Sequence, residues 1–170
     1  MDRLQFYYVD AKYVSFLRNK YDPRVPKTLL PHYKHEKFFV GVVFKINNLD
    51  YFAPVSSYQD INPVTFNIRG QGNRVISSIR LNYMFPVVDG VYKSLPIETF
   101  TTTYKLICYN ELRYCNKHRA EILELAKNIY NKMSSNDFVD EAEKRLYMKM
   151  CCNFKKLERG ARAFINSGKK

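Results

Sequence analysis

The sequence predicts an α+β fold in one domain, a small and mostly antiparallel curved sheet or partly closed barrel with helices packed around it. Three observations lead there. At 170 residues the chain has the size of a single domain. Strand and hairpin signals fill residues 1–96, and helical periodicity takes over in 97–170. Hydrophobic residues make up 46% of the chain and charged ones 26%, enough for a core and too little charge for a disordered chain.

Each element has its own warrant. Residues 5–9 (QFYYV) form an aromatic, strand-prone run. Asp10 then stands as an N-cap, with Tyr13, Phe16 and Leu17 at helical spacing to about Asn19. Residues 20–37 carry Pro23, Pro26 and Pro31 and no sustained periodicity, which predicts a long loop, of a kind that is usually functional or mobile. Residues 38–46 and 51–55 flank Asn47-Asn48, a pair that tolerates the positive φ of a tight hairpin turn. Pro54 should make the second of these an edge strand or mark its end. A second hairpin is expected from 64–68 and 75–81 around Gly70-Gln71-Gly72-Asn73, followed by a short strand at 84–88. Helices are expected over 104–115, 119–133, 138–152 and 154–164, with Asn116, Asn136 and Asn153 as N-caps.

Charge narrows the partners. Lys and Arg number 28 against 16 Asp and Glu, a net +12. Both halves are basic (13 against 7 up to Pro96, 15 against 9 after it), so the positive field belongs to the folded body and points to nucleic acid. No apolar run is long enough to span a membrane. The amino terminus lacks an apolar secretory segment, so the expected compartment is the cytoplasm. There Cys108, Cys115, Cys151 and Cys152 should be reduced and packed in the core. Zinc on Cys115, His118 and Cys151 or Cys152 lacks the paired short loops of structural sites.

Phosphate-binding loops, dinucleotide fingerprints, metal-histidine pairs and serine-hydrolase elbows are absent. Acidic residues are few and scattered, which disfavours a two-metal nuclease. RNA cleavage without metal asks less: the substrate's own 2′-hydroxyl attacks the adjacent phosphorus, and the protein moves protons and stabilises charge. The 20–37 loop is rich in suitable groups, namely Arg24, Lys27, His32, Tyr33, Lys34, His35 and Lys37. Ser56-Ser57, just past the 51–55 strand, adds hydroxyls that suit either a phosphate or an ordinary turn. Charge and tyrosines alone fit a non-catalytic RNA-binding module equally well, and a defence protein acting on other proteins is a third possibility.

Four stretches taken in order separate these. FYYVDAKYVSFLR, DPRVPK, HYKHEKFFVGVVFKINNLDYFAPVSS and CCNFKKLERGARAF span nearly the whole chain. Together they resemble the ToxN/AbiQ family of toxins from type III toxin–antitoxin systems. The resemblance implies a twisted antiparallel sheet with surrounding helices, similar to MazF and Kid toxins. It also implies a sequence-selective endoribonuclease that works without cofactor or metal and leaves a 2′,3′-cyclic phosphate. The implied partners are cellular mRNA and a small RNA pseudoknot antitoxin, which the toxin excises and with which it closes a ring. Abortive infection by phage is the implied biology.

Carried over by position, Ser57 looks like the family's essential serine, Ser56 like its frequent Thr, and Lys37 like its active-site lysine. Tyr33 and Tyr13 resemble tyrosines lining the same groove. Gln59 stands where some relatives have a basic residue, so that cation must come from elsewhere. On chemical grounds Lys37 would stabilise the phosphorane charge, the serines would hold the phosphate or orient the 2′-hydroxyl, and His32 or His35 would suit acid or base work. Arg69, Arg74 and Arg80 on the second hairpin, and Lys149, Lys155, Lys156 and Arg159 around the last helix, are expected to grip RNA phosphates alongside Arg24, Lys27 and Lys34.

Overall fold

The computed structural model describes residues 2–32 and 34–168. Strand β1 (Gln5–Val9) leads into helix α1 (Ala11–Lys20). The Asp10 carboxylate caps α1, accepting from the backbone N–H of Lys12 at 2.7 Å and Tyr13 at 3.3 Å. Strands β2 (Phe39–Ile46) and β3 (Leu49–Ser56) form the hairpin expected around Asn47-Asn48, both of which take positive φ, 51° and 61°. Strands β4 (Phe66–Arg69), β5 (Val75–Ile79), β6 (Phe85–Val87) and β7 (Tyr92–Ser94) follow. Helices α2 (Thr102–Lys117), α3 (Arg119–Ser135), α4 (Glu141–Met150) and α5 (Phe154–Ser167) complete the chain.

The sheet is antiparallel and runs β4-β5-β3-β2-β1-β7, with β6 also paired to β3. It is open, which corrects the partly closed barrel: β4 and β7 end the order without meeting. The reason lies in β3, which forks rather than curling. Its first half pairs with β6 (Tyr51 with Pro86) and its last two residues pair with β5 (Val55 with Ile79). Pro54 sits at that fork, in the middle of the sheet rather than on its edge. On the β2 side it falls in a pair that needs no N–H from it, since Val55 donates to Phe38 O at 3.1 Å. On the other side its carbonyl accepts the Arg80 N–H at 2.9 Å, where the partner strand is interrupted by a 3₁₀ turn at Leu81–Tyr83. The missing donor therefore falls in the gap between β5 and β6. Strand β7 has no counterpart among the expected elements; it is short and pairs with β1.

Two of the three asparagine caps are also corrected. Asn153 caps α5 as expected, accepting from Lys156 N–H at 3.1 Å. Asn116 instead lies inside α2 and ties Leu4 through both its backbone groups, at 2.9 and 3.1 Å. Asn136 ends α3 in the left-handed conformation (φ 53°), and the N-cap of α4 is Asp140.

Helix α5 lies on β6 and α1, and α3 lies on β2. A Cβ added at Gly160 would sit 2.8 Å from side-chain atoms of Leu17 and Tyr21, so glycine lets α5 approach α1 closely. Between α5 and the sheet the Glu158 carboxylate, 2% exposed, accepts from the Tyr51 hydroxyl at 3.0 Å and the Tyr130 hydroxyl at 2.5 Å. All four cysteines are unpaired and buried. Burial pushes their thiols up, Cys108 to about 11 and Cys115 and Cys151 to about 12. No helix among the described residues is long and apolar enough to cross a membrane.

Candidate active site

The end of β3 gathers the chemistry. Phe39 pairs with Pro54 and Val55 donates to Phe38 O, so continuing the ladder by one pair sets Lys37 across from Ser56. On the opposite flank Ser56 pairs with Ser78 of β5, and two residues on Arg80 is bonded through its N–H to Pro54 O. Ser57 follows directly and is exposed. Lys37 just before β2, Ser56 and Ser57 at the end of β3, and Arg80 just after β5 thus lie at neighbouring ends of three adjacent strands, although their sequence positions span more than forty residues.

The electrostatics bear out that proximity. Lys37 is half-buried, and burial followed by the positive charge of Arg80 lowers its ammonium pKa. Beyond the serines the chain is held in place: Ser56 Oγ accepts from Tyr58 N–H at 3.1 Å, and Ser78 Oγ donates to Tyr58 O at 2.8 Å. Tyr58 stays 59% exposed, with the Arg80 guanidinium 5.2 Å from its ring centre and 5.5 Å from that of Tyr83. An exposed aromatic face beside two cations is a surface on which a base can stack while its phosphate is held.

The 20–37 segment is a long loop after α1, pinned by buried Val25 and Thr28 and by the Lys37 N–H, which donates to Thr28 O at 2.8 Å. Lys27, His32, Lys34 and His35 are exposed on it. His35 stacks flat on Tyr104 of α2, ring centres 3.9 Å apart and planes within 5°. Tyr33 lies outside the described residues.

Two expected site residues are placed elsewhere. Tyr13 is fully buried, its hydroxyl donating to Pro86 O at 2.6 Å and its ring set edge-on to Phe164. It belongs to the core and lines no groove. Arg24 is committed to the fold: its guanidinium chelates the buried Asp22 carboxylate at 3.0 and 3.1 Å and donates to Met148 O at 2.9 Å. That carboxylate also accepts Asn153 N–H at 2.6 Å, so the Asp22–Arg24 pair ties the first loop to the end of α4 and the start of α5. Among the remaining cations, Arg74, Lys149, Lys156 and Arg159 are exposed. Arg69 donates to Asn73 O within its hairpin, and Lys155 to the Tyr130 hydroxyl.

The family model "Toxin ToxN, type III toxin-antitoxin system" matches residues 5–162. The chain belongs to this family. It is 24% identical to the Endoribonuclease ToxN of Pectobacterium atrosepticum, over 95% of this chain and 94% of that protein. It is 28% identical to the Endoribonuclease AbiQ of Lactococcus lactis subsp. lactis, over 98% and 91%. Its fold matches a toxin solved in work on selective inhibition by a non-coding RNA pseudoknot, with a TM-score of 0.84, 24% identity and coverage of 96% and 98%. A structure of AbiQ, a lactococcal anti-phage endoribonuclease, matches with a TM-score of 0.81 and 23% identity over 97% and 99%.

Family membership makes the placement of its motifs informative. The carboxy-terminal Cys-x-Phe-x-x-Leu-Glu stretch is structural here, since Cys152, Phe154, Leu157 and Glu158 are all buried. The Ser-Ser pair that ends the first hairpin is the part that reaches the surface beside Lys37. Sequence reasoning missed Tyr58, and it placed Arg80 with the general RNA-gripping cations rather than beside Lys37. Alternation of β3 past its end offered a weak signal for Tyr58; only the strand order, which is not written in local pattern, brings Arg80 to the serines.

Proposed function

We propose that this chain is the toxin of a type III toxin–antitoxin system, a metal-independent endoribonuclease selective for short sequences in single-stranded RNA. Its natural inhibitor is a small RNA pseudoknot that it cuts from a longer transcript and holds in a closed protein–RNA ring in the cytoplasm, and cellular mRNA is its target. The observation that carries this reading is the meeting of Lys37, Ser56 and Ser57 at the end of β3 in a chain of this family.

The chemistry fits the groups. The 2′-oxygen forms a bond to phosphorus as its proton leaves, the bond from phosphorus to the 5′-oxygen breaks, and that oxygen takes up a proton. The products are a 2′,3′-cyclic phosphate and a 5′-hydroxyl. The Lys37 ammonium stabilises the extra charge on the phosphorane, and Ser57 donates to a phosphate oxygen. Ser56, whose oxygen already accepts from Tyr58 N–H, keeps its own proton to donate toward the same phosphate. His32 and His35 are the exposed groups suited to carrying protons.

The test is cleavage of a mixed RNA in EDTA by protein freed of bound nucleic acid, beside Lys37→Ala and Ser57→Ala. Wild type should cut at a recurring short sequence with cyclic phosphate ends, and each variant should be slower by about 100-fold or more. Equal cutting by all three would displace the site. No cutting by folded wild type that still binds RNA would leave a binding module.

A further inference from the structure

Arg80 is built into the site more firmly than a surface cation. Its backbone is locked to β3 by the bond to Pro54 O, and Ile79 before it pairs with Val55. Its guanidinium lies 5.2 Å and 5.5 Å from the ring centres of Tyr58 and Tyr83, within cation–π range of both. It makes no ion pair with a carboxylate among the described residues. Its Nε is buried without a hydrogen-bond partner among them. A buried guanidinium N–H left unmatched is costly, and placing that cation near a second one adds repulsion. An anion between the two cations, met by the terminal NH2 groups of the guanidinium, removes that repulsion. Arg24 is the contrast within this chain, since its guanidinium is saturated by Asp22 and Met148.

We infer that Arg80 is a catalytic residue, whose guanidinium fork takes a non-bridging oxygen of the scissile phosphate opposite Lys37, so that the two cations clamp the phosphorane between them. This rests on the nuclease reading above and adds a second charge-stabilising group to it. A two-pronged donor fixes the phosphate's orientation, while the lysine supplies a point charge. Tyr58 then has two roles, holding the guanidinium with one face and offering the other to a flanking base.

The test is single-turnover cleavage of an RNA oligonucleotide containing the mapped cut site. Binding is measured in parallel with the same oligonucleotide carrying a 2′-O-methyl group at the scissile nucleotide, which cannot be cut. Arg80→Gln and Arg80→Lys are compared with wild type and Lys37→Ala, each shown folded by its thermal melt. Arg80→Gln should cleave about 100-fold more slowly while binding the uncleavable RNA within about threefold of wild type. Arg80→Lys should recover part of the loss, since it restores the charge without the fork. The double variant with Lys37→Ala should fall short of the product of the two single losses, because both act on one phosphate. Wild-type rates in Arg80→Gln would overturn the inference and leave the nuclease reading standing. So would a loss lying wholly in binding, which would make Arg80 an ordinary backbone contact. A wild type that binds but does not cut would overturn the nuclease reading itself.

Discussion

At the scale of single residues, burial decides what a side chain can do. Tyr13 has the position of a groove tyrosine, yet its hydroxyl is spent on Pro86 O inside the core. Tyr13→Phe leaves that carbonyl without its donor and should cost about 1–2 kcal/mol of stability, read as a lower denaturation midpoint, with RNA cleavage unchanged. Ser57 is exposed and Lys37 only half-buried, so their removal should silence the protein without unfolding it. Residue type and family resemblance made these tyrosines, lysines and serines candidates. What it could not supply was their depth, because an aromatic residue at helical spacing fits a core face and a stacking surface equally well.

At the scale of elements, local chemistry was legible wherever a short-range rule governs. Asp10 caps α1, Asn47-Asn48 turn the first hairpin and Asn153 caps α5, each as its spacing implied. Asn136 misled because asparagine serves a helix end in the left-handed conformation as readily as a helix start. Pro54 misled because its lost donor was judged without the fork that makes the loss harmless. Helix packing carries a prediction of its own. At Gly160 helix formation favours a side chain, but Leu17 is fully buried and has nowhere to retreat. Gly160→Val should therefore lose about 2–3 kcal/mol by denaturant titration, through the enforced separation of α5 from α1.

For the whole molecule, fold class and basic character followed from patterning and charge, whereas strand order did not. The site depends on that order. Arg80 reaches Lys37 only because β5 and β2 flank the same end of β3, a long-range pairing that no window of sequence contains. Stability carries a further charge that the site does not use. Glu111 in α2 is 6% exposed, and burial raises its pKa. A carboxyl whose pKa is raised by folding stabilises the native state while protonated, and that contribution is lost as pH climbs past the ordinary carboxylate value of about 4.3. Glu111→Gln should then raise the unfolding free energy at about pH 8, with the advantage fading toward about pH 4.

The four buried thiols have a practical corollary. Each is shielded by packing and held in its unreactive protonated form, so a maleimide or nitroxide reagent at neutral pH has nothing native to attack. A cysteine introduced at exposed Gln59 becomes a unique handle without any prior removal of the natural ones. A fluorophore or spin label attached there sits two residues from Ser57, where it can report the arrival and departure of RNA in real time.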